Sequence, residues 1–265
     1  VRKVMRVIII FAIFIAFIPF ENFSISVAGA EMKPMEKKKG ERIELISKRT
    51  DVSKTFSNAD GTLTTEITQI PQHFKDLEDN WQDIDNSLVQ ASKGKKKIKN
   101  KKNSFSVEFD SNVNFNSEGL IVSEDEYEIQ LNLNELTNEH NEVQKTEGST
   151  GEISDNKITY PELFENISTE YTVGENFVKE DIILHKPSAG GLPEKFSYQV
   201  SLENLTYEVI GKRIYLNDSQ TGESKYVIEA PYMYDAFKPE EFKSAEGFQS
   251  VPEEAKSFDI ELITR

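Results

Sequence analysis

The chain has 265 residues and no cysteine, and its 46 acidic side chains outnumber 31 basic ones, giving a formal charge of −15. That length is enough for one large or two modest domains with a real core. Without cysteine there is no disulfide framework, no thiolate metal site and no cysteine nucleophile, so stability has to come from packing. An acidic surface repels phosphate backbones, which removes nucleic acid from the expected partners and leaves cations, neutral glycans or a basic protein.

Arg2, Lys3 and Arg6 precede an apolar run over residues 7–20, and Ala28, Gly29 and Ala30 close the segment. A positive start, a short apolar stretch and an A-x-A site are the parts of a secretory signal, so residues 1–30 read as a signal helix removed on export. The mature chain then begins at Glu31, outside the cell or in its wall, and meets a membrane only through the signal segment before cleavage. The competing reading is a retained anchor. Pro19, Glu21 and Asn22 oppose it, because they interrupt the run where a span of roughly 20 apolar residues would continue. Residues 31–50, centred on Glu36, Lys37, Lys38, Lys39 and Gly40, are charged and poor in aromatics, and read as a flexible tether.

Residues 51–92 read as a small β-hairpin module. Asn58, Ala59, Asp60 and Gly61 form a turn between Lys54-Thr55-Phe56 and a β-branched stretch from Thr62 to Thr68 that alternates with period two. A second hairpin follows, with a polar turn over residues 76–80 between His73-Phe74-Lys75 and Trp81-Gln82-Asp83. Residues 93–103 read as a Lys-rich linker, since only Ile98 is apolar and no amphipathic face can form. A polybasic patch for anionic wall polymers or a membrane surface is the alternative to a solvated loop.

Residues 104–265 alternate steadily. Phe105, Val107 and Phe109 share one face, as do Tyr127, Ile129, Leu131 and Leu133, and Ile121 marks a strand between these sets. Lys157 to Tyr160 reads as a strand bounded by Pro161 and suited to a sheet edge. Further strands are expected near residues 168–173, 177–184, 196–202, 207–210, 213–216 and 225–229. A last one is expected at 258–263, where it needs a partner already made upstream or one that this chain lacks. Short strands at this spacing imply an all-β, antiparallel, sandwich-like fold.

Candidate chemistry is sparse. Asp76, Asp79, Asp83 and Asp85, with Glu78, form an acidic cluster that is a calcium candidate, since calcium takes six to eight oxygen ligands. The spacing lacks the glycine of an EF-hand loop, and turn capping by Asp and Asn accounts for the same residues. Calcium is the one cofactor considered. Trp81, Tyr232 and Tyr234 are candidates for a platform that stacks on sugar rings, against core packing as the alternative. His73, His140 and His185 are isolated and read as surface or turn histidines, and adjacent carboxylates such as Glu180 and Asp181 point to opposite faces of a strand. No catalytic residue is assigned.

Three stretches resemble a known family. They are Arg49-Thr50-Asp51-Val52-Ser53-Lys54-Thr55-Phe56 with Asn58-Ala59-Asp60-Gly61-Thr62; His73-Phe74-Lys75-Asp76 with Asn80-Trp81-Gln82-Asp83-Ile84-Asp85-Asn86-Ser87-Leu88; and Lys157-Ile158-Thr159-Tyr160, Val178 to Leu184 and Ile228 to Ala236. Their order and spacing are similar to the N-terminal region of wall-associated RHS/YD-repeat proteins of Bacillus-type, Gram-positive bacteria, a polymorphic toxin family, over residues 44–235. The resemblance implies a secreted, non-enzymatic module that places a larger surface protein or toxin at the cell envelope. Its partners would be cell-wall polymers or a downstream RHS/YD-repeat polypeptide. The family region runs on past the equivalent of Arg265, so the chain is expected to be a truncated or split member. The alternative is a cell-wall glycan-binding module acting alone.

Overall fold

The computed structural model describes residues 7–14, 42–91, 96–186, 191–235 and 256–257. The chain divides into two compact units, Ala16–Ile84 and a larger one made of Val1–Ile15 with Asp85–Arg265. Every strand ladder is antiparallel, and the described residues hold one short 3-10 turn, Ile46–Lys48, as their only helical element. No helix among them is long and apolar enough to cross a membrane.

The smaller unit is built from the two expected hairpins. Ser53–Ser57 pairs with Leu63–Ile67, and Ile43–Glu44 adds a third strand on the other side. The turn between them needs a residue free to adopt positive φ, supplied by Gly61 at 87°. Asp60 caps it by accepting from the Thr62 backbone N–H at 2.9 Å. His73–Lys75 pairs with Trp81–Asp83 to form the second hairpin.

Besides a two-stranded ladder of Asn112–Val113 with Ser149–Thr150, the larger unit holds two large sheets. One runs in the order Val143–Lys145, Tyr127–Asn138, Leu120–Glu124, Ser106–Asp110, Lys97–Lys102 and Asp85–Gln90, with Pro193–Glu203 laid along Tyr127–Asn138. The other runs Glu152–Ser154, Lys157–Phe164, Ile167–Val173, Phe177–Leu184, Val7–Phe14, Ser224–Ile228, Arg213–Asp218 and Leu205–Ile210. Their inward residues form one core: Val107, Phe109, Val122 and Ile129 from the first sheet, Ile158, Tyr160, Val173, Val178 and Ile182 from the second. Alternation puts Phe105, Val107 and Phe109 together inside, as their spacing predicts.

The structure differs from the sequence reading in four places. Val7–Phe14 is not helical: it is an eight-residue strand, in keeping with the β-branched character of Val-Ile-Ile-Ile. The rest of the signal segment, and residues 31–41 of the tether, lie outside the described residues, while Ile43–Glu44 within the tether is already a strand. Lys97–Lys102 is a strand rather than a linker, and it joins the larger unit, whose boundary falls at Asp85. Its alternate residues Ile98 and Asn100 are buried. Pro161 lies inside the strand Lys157–Phe164, which is paired on both sides. A register shift between Tyr160 and Phe164, with Glu162 at φ 50°, makes a bulge that accommodates a residue without an N–H. Of the last expected strand, residues 258–263 lie outside the described residues, and Lys256–Ser257 just before them pairs with Tyr232–Asp235.

Asn100 makes the lysine strand possible. Its Nδ2 donates to the Phe105 carbonyl at 3.1 Å and its Oδ1 accepts from the Val107 N–H at 2.9 Å, both within the core. Asn100→Leu leaves both backbone groups buried and unpaired, and is expected to lower unfolding free energy by about 2–4 kcal/mol. Urea unfolding checks this against Lys101→Gln on the exposed face, which is expected to change stability little.

Candidate functional site

Two clusters of polar side chains stand out, one in each unit. In the smaller unit, Arg49 is buried and donates to both carboxylate oxygens of Glu44, at 2.8 and 3.0 Å. This two-pronged bond is the strong form of an ion pair. It holds the Glu44 carboxyl below its usual range. Asp83, on the second hairpin, sits 3.2 Å from Arg49, 3.5 Å from Lys54 and 3.4 Å from Nε2 of His73.

His73 is only 2% exposed, which corrects its reading as a surface or turn histidine. Nδ1 lies 2.9 Å from the Thr50 carbonyl, so that nitrogen carries a proton, and Nε2 is buried without a hydrogen bond. The edge of Trp81 packs on the imidazole, with ring centroids 6.5 Å apart, and Lys75 lies over the indole. The group types suit acid–base chemistry on a phosphate, but burial closes the imidazole to any substrate.

The four aspartates do not share a site. Asp76 accepts from the Glu78 and Asn80 backbone N–H groups and from Gln82, which makes it the cap of the second hairpin and keeps its pKa low. Asp79, at φ 63°, pairs with Lys75 at 2.7 Å. Asp83 faces cations, and Asp85, in the larger unit, accepts from Ser87 and Lys101. Among the described residues no group of three or more His, Cys, Asp or Glu side chains is placed to hold a metal ion. Trp81 belongs to the smaller unit and Tyr232 and Tyr234 to the larger one.

In the larger unit the polar groups cross between the sheets. Glu180 is buried at the core face of Phe177–Leu184 and accepts from Tyr171 at 2.6 Å and from Tyr198, on the opposite sheet, at 2.8 Å. Burial pushes its carboxyl up to about 7, against the pull of the two hydroxyls. Tyr160 donates to the Asp110 carbonyl at 2.5 Å, Tyr127 to Asp218 at 2.5 Å and Tyr226 to Glu124 at 3.1 Å. The Tyr127 bond, with donors from the Thr221 backbone, holds Asp218 well below the carboxylate range, whereas burial raises Glu124.

Two further placements escape sequence reading. Ser168 and His185 lie 2.8 Å apart, the contact of a nucleophile and its base, yet Ser168 is 5% exposed and no substrate reaches its hydroxyl. Lys99, Lys101 and Lys102 line one wall of an open groove of about 320 Å³, with Glu124 and Asp125 on the other. The polybasic character is partly cancelled from within. Lys97 is held by Asp110 at 3.0 Å and by Glu118, and Lys101 by Asp85 at 3.3 Å.

No family model and no solved structure matches the chain. Among curated proteins it is similar to the tRNA nuclease WapA of Bacillus subtilis (strain 168) and the tRNA(Glu)-specific nuclease WapA of Bacillus subtilis subsp. natto. It is also similar to the tRNA3(Ser)-specific nuclease WapA of Bacillus spizizenii. Each is 24% identical over 199 residues, which cover 73% of this chain and 8% of the relative. The chain thus spans a small part of the length of the relatives it matches. Their names overturn the expectation of a non-enzymatic module, whether placing a larger protein or binding wall glycan alone, because the matched proteins are nucleases.

Two outcomes follow from the clusters. In Glu180 the folded-state pKa of about 7 stands above the ordinary carboxyl value of 4.5, so the folded chain binds the proton more tightly. The stability this contributes is full below about pH 4.5 and is lost as pH rises towards 7, a change of about 3 kcal/mol. Glu180→Gln is expected to flatten that slope, so that variant and wild type diverge at pH 8 more than at pH 4, read by denaturant unfolding across pH. Arg49→Met strands the part-buried Glu44 carboxylate and is expected to cost about 2–3 kcal/mol. A Glu44→Leu, Arg49→Met double variant should recover part of that loss.

Proposed function

We propose that the chain is part of an exported tRNA nuclease of the WapA kind and supplies a β-rich portion of such a polypeptide, with tRNA as the class of substrate. The observation that carries this reading is the match of 199 residues to three proteins named as tRNA nucleases. Export is supported by the basic start, apolar run and A-x-A site of residues 1–30. The resemblance to wall-associated RHS/YD-repeat proteins points the same way, towards a long polypeptide delivered to the envelope. Two antiparallel sheets around one core form a sandwich-like body suited to the cell exterior, where a cysteine-free chain needs no oxidant to fold.

A chimera tests this. When the matched region of the Bacillus subtilis (strain 168) protein is replaced by this chain, cells are expected to release a nuclease that cleaves tRNA as the parent does. Loss of the secreted activity, with the chimera still synthesised, would sink the reading. Incubation of residues 31–265 with tRNA adds a direct arm: cleavage that survives purification assigns chemistry to this chain itself.

A further inference from the structure

Leu63–Ile67 is the outer strand of the smaller unit's three-stranded sheet and pairs with Ser53–Ser57 on one side only. All five of its residues are exposed, Leu63 at 56% and Ile67 at 75%. The pairing fixes which backbone groups point away. Asn58 N–H donates to the Thr62 carbonyl at 2.9 Å, and Thr68 N–H to the Val52 carbonyl at 2.8 Å. Antiparallel ladders bond at every second residue, so Thr64 and Glu66 also turn their backbone to Ser53–Ser57. The N–H and C=O groups of Leu63, Thr65 and Ile67 therefore line the open edge.

Such an edge is a template for another strand, and proteins usually blunt it with lysine, proline or a bulge. None of these guards this strand. Residues 62–68 contain no lysine, arginine or proline, and the register runs unbroken from Ser53 opposite Ile67 to Ser57 opposite Leu63. The one charged side chain, Glu66, is paired with Arg42 at 2.6 Å, and Arg42 also lies 4.1 Å over the Phe56 ring. The strand thus carries no unpaired charge to select a basic partner, or to repel another copy of a chain whose formal charge is −15.

We propose that this edge pairs with the same edge of a second copy of the chain, antiparallel, about a two-fold axis at Thr65. The sequence Leu-Thr-Thr-Glu-Ile fits itself in that register. On one face Leu63 meets Ile67 of the second copy and Ile67 meets its Leu63, with the two Thr65 side chains between them. On the other face each Thr64 hydroxyl meets a Glu66 carboxylate. The open residues of one strand match those of the other, and about six backbone hydrogen bonds close the ladder. A shift of two residues either way sets Ile67 against Gly61 or Leu63 against Gln69, so side chains as well as backbone favour the symmetric register. A ladder this short falls below the roughly 1,200 Å² that stable interfaces bury, so the dimer is expected to be weak, with a dissociation constant of about 10⁻⁴ M.

Sedimentation equilibrium of the full 265-residue chain, from micromolar to millimolar concentration, tests this. The chain is expected to pass from monomer to dimer. Thr65→Pro removes an N–H that points only to the open edge and leaves the ladder to Ser53–Ser57 intact, so it is expected to weaken the dimer about tenfold or more. A chain that stays monomeric overturns the proposal and leaves the edge to a strand of another polypeptide. A dimer that Thr65→Pro does not weaken also overturns it, and places the contact elsewhere. Should Thr65→Pro unfold the unit, the lack of cysteine in the chain supplies a second readout. Facing Cα atoms at the two-fold axis stand about 5.5 Å apart, within disulfide reach, so Thr65→Cys is expected to cross-link into a dimer under mild oxidation. Leu63→Cys lies about 13 Å or more from its own copy and is expected not to. Cross-linking of Leu63→Cys as readily as Thr65→Cys, or of neither, overturns the proposal.

Discussion

Tyrosine hydroxyls that reach from one sheet to polar acceptors on the other fix how the two sheets of the larger unit face each other. Apolar faces are non-directional partners and tolerate sliding. Tyr198 to Glu180, Tyr160 to the Asp110 carbonyl, Tyr127 to Asp218 and Tyr226 to Glu124 are directional, and each crosses between the sheets. A slip of one residue would strand these hydroxyls and carboxylates in a medium where an unpaired polar group is costly. The acceptors thus specify one alignment out of the many that hydrophobic contact alone would permit. Glu180 gives the most to this and costs the most, because its carboxylate is fully enclosed and holds two hydroxyls at once. Its raised pKa is the electrostatic signature of that enclosure.

Much of this was legible beforehand, and for a definite reason. Alternation with period two reports which face of a strand is buried, so Phe105, Val107, Phe109 and Ile129 could be assigned to a core without knowing the partner strand. The hairpin at Gly61 was legible because turn chemistry is local. What failed depended on groups distant in sequence. The lysine-rich strand looked like a linker because its partners lie elsewhere: Asp110 and Glu118 for Lys97, and the Phe105 and Val107 backbone for Asn100. Burial of His73 was invisible for the same reason, since Thr50 and Asp83 close around it only in the folded unit. The acidic cluster misled in the opposite direction. Its members are neighbours in sequence, yet Asp76 caps a turn, Asp83 faces Arg49 and Asp85 caps the start of another strand.

The functional error had a different origin. The inference of a non-enzymatic chain rested on the lack of any catalytic motif, but an activity named for a polypeptide of which the matched region is 8% need not leave its signature in that region. Motif reading tests the residues in hand. It says nothing about chemistry carried by a polypeptide many times longer, and the acidic charge that argued against phosphate partners is likewise a property of these 265 residues alone.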